Sequence, residues 1–479
     1  MRAQGLTAAA PGSCPICDGT NHAYMWARGG RRLDRCTGCG LVRCSGEGAD
    51  APGPNIWTDR DWGTVAALAG GRRTHGTVLV LARAGDVPAQ IRAQLEADHA
   101  RIVDPDQAGD WLDGGPVGTV LVVSGLATCA DPRMFLTRVR GTLAEDGILL
   151  VAQALADSRA ARMMGRRWQG WILPARWHFT RKTLHTLLLK CGFHRVWLRD
   201  LGRAKRLQTP LGRVLASAEV APADGRSRLS IIVPVYNESA TCATLLERLL
   251  AKELPGLETE VIIVESNSTD GTRAIVEGYR DRPGVRVVLE DRPRGKGHAV
   301  RTGLARATGD IVLIQDGDLE YDIDDYEALL APLVGWEALF VLGSRHSGHW
   351  KMRVFNDAPI TAAVFNLGQL FYTGLVNLVL RTAMADPFTM FKVFRRDCLH
   401  GLAFTGQRFD FDFELVMKLV RKGYVPLELP VNYTARSFAE GKKVSFVRDG
   451  LTWVWVVVKY GFGPLGSGDR DRFRGAPSP

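Results

Sequence analysis

The chain opens Met1-Arg2-Ala3-Gln4-Gly5 and so lacks the apolar core that a secretory leader needs. An uninterrupted hydrophobic run of bilayer-spanning length is also missing. The longest uncharged stretch, Ala358 to Leu380, is broken by Asn366, Gln369 and Asn377. Cysteine is sparse, with nine in 479 residues, four in paired spacing and five scattered. That excludes a disulfide framework and points to a reducing, cytoplasmic setting. No basic helix or aromatic–basic stripe accompanies the net charge of +10, which argues against nucleic acid as a partner. The charge suits smaller anions instead: nucleotides, phosphates or a lipid surface. Internal repeats and low-complexity segments are absent too.

What is present is a globular composition, 46% hydrophobic and 23% charged, with length for roughly two to four domains. Residues 1–48 are rich in Cys, Gly and Arg and too few to build a core of their own. Beyond them, strand-like runs (Thr77–Leu81, Thr119–Val123, Ile148–Val151) alternate with helical ones (Val87–Leu95, Pro132–Leu143). That alternation predicts a parallel sheet flanked by helices. Ala221–Ser227 reads as a linker, and a second βαβ series starts at Leu229. The expected blocks are therefore 1–48, 49–220 and 221–464, with a disordered tail over 465–479.

Cys14-Pro15-Ile16-Cys17 and Cys36-Thr37-Gly38-Cys39 have the spacing of a structural zinc site. Each tight turn aims two thiolates at one point, and four complete a tetrahedron. A closed tetrahedron leaves no position for substrate, so the metal is assigned to folding. Cys44 stands outside the set.

In the second block, Asp131-Pro132-Arg133-Met134-Phe135-Leu136, Leu143–Val151, Trp168-Gln169-Gly170-Trp171, His178-Phe179-Thr180 and Thr183–Leu188 follow in order. This series resembles the C-terminal half of class I S-adenosylmethionine-dependent methyltransferases that carry a cysteine-rich N-terminal ribbon. One departure matters. Where that family has a glycine-rich turn against the cofactor, this chain has Leu81-Ala82-Arg83-Ala84-Gly85-Asp86, with an arginine in place of the open backbone that glycine permits. Only Asp104 is a candidate for the ribose. The expectation is a degenerate domain kept for packing or partner binding; an active methyltransferase is the alternative.

The third block carries Leu229–Val235 ending in Tyr236-Asn237-Glu238, then Glu260–Val264 ending in Glu265-Ser266-Asn267-Ser268-Thr269-Asp270-Gly271-Thr272. Arg294-Gly295-Lys296-Gly297 follows, and Asp310–Ile314 ends in Gln315-Asp316-Gly317-Asp318-Leu319-Glu320. Two carboxylates one residue apart at a strand end suit one hard divalent cation, which in turn suits a diphosphate. In an open α/β sheet such tips line one crevice. The set resembles the family-two, inverting, GT-A fold glycosyltransferases. The fold expected is thus α/β: two Rossmann-like domains, methyltransferase-like and then GT-A, behind a small zinc ribbon. The resemblance implies that Pro234, Tyr236 and Glu238 floor a nucleotide-sugar pocket completed by Lys296. It also implies that Glu265 contacts the nucleoside and that Asp316 and Asp318 hold Mg2+ or Mn2+.

Gly343-Ser344-Arg345, Asp386-Pro387-Phe388-Thr389-Met390-Phe391-Lys392 and Val431–Ser445 extend the likeness to polyprenyl-phosphate sugar transferases of the dolichyl-phosphate mannosyltransferase kind. Arg345, Arg436, Lys442 and Lys443 are then candidates for the acceptor phosphate. Asp412, in Phe411-Asp412-Phe413-Glu414, is placed where the family faces the acceptor. It serves as base for a hydroxyl acceptor, orients groups for a phosphate acceptor, or is a helix-start charge alone. A glycan or protein hydroxyl acceptor, a bifunctional methyltransferase and a non-catalytic scaffold are the competing readings. Apolar residues at helical spacing from Ile360 to Val379, and the tryptophans of Leu451–Tyr460, fit either a bilayer surface or burial in the same domain. Membrane contact is expected to be peripheral, on the inner face.

Overall fold

The computed structural model describes residues 12–28, 30–46, 77–83, 85–97, 99–106, 115–172, 175–200, 213–220, 227–345, 359–408, 410–434 and 446–466. The chain forms two compact units, Met1–Gly225 and Arg226–Pro479.

The first unit opens with an antiparallel meander, β1 (His22–Arg28), β2 (Arg31–Cys36) and β3 (Val42–Gly46). There follow β4 (Val78–Leu81), α1 (Ala89–Ala97), β5 (Arg101–Val103), β6 (Val117–Val122), α2 (Pro132–Thr142), β7 (Leu143–Ala154) and α3 (Arg159–Met164). The unit ends with β8 (Trp177–His178), α4 (Arg181–Lys190), β9 (Phe193–Asp200) and β10 (Arg213–Val220). Strand β8 returns to pair with β3, Val42 opposite His178, and so completes a four-stranded sheet. The larger sheet runs β5-β4-β6-β7-β10-β9, with β10 antiparallel to both neighbours and β5-β4-β6-β7 parallel.

Local chemistry sets several of these boundaries. Helix α1 starts two residues later than its apolar pattern suggests, because Val87 precedes Pro88 and is barred from helical geometry. Asp131 caps α2 by accepting from the backbone N–H groups of Arg133 and Met134, with Pro132 in the first turn. Thr180 and Thr183 form a reciprocal capping box on α4. Trp168 stacks edge-on against Trp171 (5.0 Å between centroids), which meets Trp26 of β1 in the same way (5.7 Å).

The second unit is built from β11 (Ser227–Val235), α5 (Cys242–Ala251), β12 (Leu257–Glu265), α6 (Thr272–Glu277), β13 (Val285–Leu289), α7 (Lys296–Leu304) and β14 (Ile311–Ile314). Then come α8 (Tyr326–Val334), β15 (Phe340–Ser344), α9 (Pro359–Leu380), β16 (Lys392–Arg395), α10 (Asp410–Lys422), β17 (Leu427–Pro430) and α11 (Phe446–Phe462). The expected linker falls mostly on 221–226, outside the described residues; Ser227 already begins β11. The seven-stranded sheet runs β13-β12-β11-β14-β16-β15-β17, and only β16 is antiparallel to its neighbours. Strand β14 is buried on both faces, which is why Ile311-Val312-Leu313-Ile314 is a continuous apolar run. Leu245, Leu246 and Leu249 of α5 are buried against this sheet. The parallel strands β11 to β14 therefore end on one edge, where the polar motifs gather.

Candidate active site

Hydrogen bonds lace the strand tips together. Asn237 takes the left-handed conformation (φ 54°), which asparagine tolerates better than most residues. Its N–H donates to Ser268 Oγ (3.0 Å), and its Oδ1 accepts from the N–H of Thr269 (2.9 Å). The N–H of Glu238 donates to Thr272 Oγ1 and that of Ser239 to Asp270 Oδ2. Thr241 Oγ1 donates to the carbonyl of Gly317, tying β11's loop to the acidic turn (3.1 Å). Burial works against the charge on Asp270, but hydrogen bonds from Thr272 and Ser239 hold it below the usual carboxylate range. Pro234 and Glu238 are half-buried beneath this lacing, and the Tyr236 ring is exposed.

Asp316 and Asp318 follow directly on β14, both half-buried. Asp318 Oδ1 accepts from the N–H of Glu320. Asp316 Oδ1 lies 2.5 Å from the ammonium of Lys296, the first residue of α7. The same ammonium is 3.7 Å from Oδ2 of Asp412 on α10, whose Oδ1 is held at 2.9 Å by Lys392 of β16. Asp412 and Lys392 are almost wholly buried. Burial alone would raise the Asp412 pKa; the two ammonium groups prevail and keep it below the aspartate range. Burial pushes Lys392 down, against the pull of Asp412. Asp316, Lys296, Asp412 and Lys392 thus form one line of alternating charge, reached from four separate elements.

Glu265 is placed differently from the expectation. Its side chain is fully buried, with Oε1 accepting from the N–H of Ser268 and Oε2 3.4 Å from Arg273, so it braces the loop from beneath. Beside it, Glu290 gathers Ser266 Oγ, His298 Nδ1 and Thr302 Oγ1. Arg345 also differs. Its guanidinium makes a two-pronged pair with the buried Asp386 (both 2.8 Å) and lies over the Tyr433 ring. Glu414 is buried and clasped by Lys418 and by the N–H groups of Thr405 and Gly406. Arg436, Lys442 and Lys443 lie outside the described residues.

Lys392 and Asp386 were missed as functional candidates in the sequence, though a lone lysine inside Met390-Phe391-Lys392-Val393-Phe394 is itself a signal. The Arg345–Asp386 pair yields a stability prediction. Asp386→Ala leaves a guanidinium buried without its partner and is expected to cost about 3 to 5 kcal/mol, read by denaturant unfolding. Arg345→Met combined with Asp386→Leu is expected to recover most of that loss.

In the first unit, Cys14, Cys17, Cys36 and Cys39 converge, their sulfurs all within 4.8 Å of one another. A Cβ on Gly38 would sit 3.2 Å from Cys17 Sγ, a tight contact that would press on the thiol cluster. Four converging thiols with no disulfide among them are a donor set that fits a tetrahedral soft ion. The knuckles are bolted to the α/β layer: Arg133 Nε donates to Pro15 O and its Nη2 pairs with Asp18, and Lys190 Nζ donates to Ile16 O.

At the C-terminal end of β4, Arg83 lies across the edge where a ligand crevice is expected. Its Nε pairs with Asp106 beyond β5 (2.7 Å), and its Nη2 donates to Thr128 beyond β6 (2.7 Å). Asp104 is turned to the N–H of Asp106.

The family described as glycosyl transferase family 2 matches residues 230–402, so the second unit carries a family-2 glycosyltransferase domain of mixed α/β architecture. The undecaprenyl-phosphate 4-deoxy-4-formamido-L-arabinose transferase of Enterobacter sp. (strain 638) is 25% identical over 225 residues, covering 46% of this chain and 64% of that protein. The dolichol-phosphate mannosyltransferase of Pyrococcus furiosus is 24% identical over 217 residues, 45% of this chain and 59% of its own. This chain therefore spans somewhat under two thirds of the length of each. The solved glucosyl-3-phosphoglycerate synthase of Mycobacterium tuberculosis overlaps 50% of this chain and 82% of its own at 20% identity and a TM-score of 0.37, too low to bear on the reaction.

Proposed function

We propose that the protein transfers a sugar, with inversion, from a nucleotide diphosphate sugar to a polyprenyl phosphate. The observation that carries this reading is the convergence of Asp316 with the tips of β11 and β12 and with the Lys296–Asp412–Lys392 line. The names of the two relatives point to the acceptor class. The fit to a cation is tested by the structure itself: an ammonium already stands 2.5 Å from Asp316 as a stand-in. Asp316 and Asp318 would hold Mg2+ or Mn2+, whose charge would offset that of the departing diphosphate.

The chain's own groups do the positioning. Pro234, Tyr236 and Glu238 form the floor beneath the nucleotide, and the laced loop above Glu265 fixes its shape. An acceptor phosphate oxygen attacks the anomeric carbon as the bond to the diphosphate oxygen breaks, and the nucleoside diphosphate leaves with the electron pair. One displacement inverts the centre. The phosphate is already anionic and needs no base. Arg436, Lys442 and Lys443 supply cations for it; Arg345, clasped by Asp386, serves to place Tyr433. Transfer to a hydroxyl with Asp412 as base is disfavoured, because both neighbours of that carboxylate are ammonium groups. Purified protein with Mn2+, polyprenyl phosphate and labelled nucleotide sugars should move label into the organic phase. Label recovered only on a glycan or protein would establish the hydroxyl-acceptor alternative.

Among the described residues no helix is long and apolar enough to cross a membrane. Leu367, Phe371 and Leu378 of α9, with Trp455 and Phe462 of α11, are exposed. They suit a peripheral seat on the inner bilayer face, where the acceptor's tail lies.

The four cysteines would hold Zn2+ as a folding element. The rest of the first unit reads as a methyltransferase-like layer without methyl transfer, because Arg83 fills the edge that S-adenosylmethionine would need. Calorimetry with S-adenosylmethionine is expected to show no binding; a measurable Kd would revive the bifunctional reading.

A further inference from the structure

The Lys296 ammonium stands where a cation bound to Asp316 would repel it, and a second carboxylate oxygen lies close by. Asp412 Oδ2 is 3.7 Å from Lys296 Nζ, is buried, and has no hydrogen-bond partner among the described residues. The other oxygen of that carboxylate is occupied by Lys392, which also donates to the carbonyl of Thr389 and is thereby fixed. A buried carboxylate oxygen left without a donor is costly unless something comes to it. Lys296 has a long flexible stem and, among the described residues, is the ammonium next to this oxygen.

From this we infer that Lys296 is a two-position ammonium. It rests on Asp316 when the acidic pair is empty and moves to Asp412 Oδ2 when a divalent cation takes Asp316. Lys392 is the positioning residue that turns Oδ2 toward it. The inference deepens the metal-dependent transfer proposed above and rests on it. Two consequences separate this arrangement from a static ion-pair network. In the empty protein Lys296 competes with the metal, so its removal must favour metal binding. Asp412 must assist metal binding only through Lys296, so its effect must vanish once that lysine is gone.

The test is Mn2+ binding to the full-length protein, followed by electron paramagnetic resonance with no nucleotide present. Lys296→Met is expected to tighten Mn2+ binding about fivefold, the size of one partly exposed ion pair, while lowering turnover. Asp412→Asn is expected to weaken Mn2+ binding by a similar factor in the wild-type background and to leave it unchanged in the Lys296→Met background. Weaker Mn2+ binding by Lys296→Met, or an equal loss on Asp412→Asn in both backgrounds, overturns the two-position ammonium and leaves the metal site standing. Absence of Mn2+ binding by the wild-type protein overturns the metal site itself. Lys296 is partly accessible, so Lys296→Met alone decides between tighter and weaker Mn2+ binding even where Asp412→Asn folds poorly.

Discussion

Asp318→Ala is expected to lower sugar transfer by about 100-fold or more while leaving the second unit folded. Charge neutralisation by a bound divalent ion is worth several kcal/mol at a departing diphosphate, and each 1.4 kcal/mol is about tenfold in rate. With Asp318 gone, Asp316 would be the only remaining member of the pair, and Lys296 already competes for it at 2.5 Å. The fold should tolerate the change because Asp318 is half-buried in a turn beyond β14, whereas the apolar strand beneath it is untouched. Steady-state transfer and thermal unfolding measured side by side decide the matter. Wild-type turnover that persists in excess chelator, or a fully active Asp318→Ala protein, would remove the basis for the proposed chemistry.

Cys36→Ser is expected to abolish the proposed zinc site and destabilise the first unit by several kcal/mol, since metal binding by a closed four-thiolate site would also be folding free energy. Cys36 is buried, its sulfur lies 3.4 Å from that of Cys17, and its N–H is bonded to the carbonyl of Leu41. Losing the ion would free both knuckles, and with them the carbonyls of Pro15 and Ile16 that hold Arg133 and Lys190. Metal analysis should find zinc in the wild-type protein and none in the variant. Limited proteolysis should then cut the variant between β1 and β3 far faster. A wild-type protein that is metal-free and equally resistant would contradict the assignment.

Strands, helices and the polar strand tips were legible in the sequence because each rests on chemistry local to a few residues. The run Ile311–Ile314, the leucine spacing of α5 and the C-x2-C spacing within each cysteine pair are all read within a dozen positions. What stayed hidden joins residues far apart. Arg345 meets Asp386 across 41 positions, Lys392 meets Asp412 across 20, and Arg133 reaches Pro15 across 118. Glu265 shows the same limit in another form. The family resemblance implied contact with a nucleoside, but Ser268 and Arg273, three and eight residues on, draw the carboxylate under the loop. Arg83 was legible as a bulky intruder; that it spans from Asp106 to Thr128 depends on the order in which β5, β4 and β6 lie.

The short strand Trp177–His178 lends its edge to a meander that ended more than a hundred residues earlier. The cysteine-bearing segment is consequently no detachable tag. Trimming it away would leave β8 an orphaned edge and strand Arg133 and Lys190 without their acceptors, so truncations starting after residue 46 should yield sticky, poorly soluble protein. With the proposed zinc bound there, supply of that metal would set how much intact N-terminal unit is made.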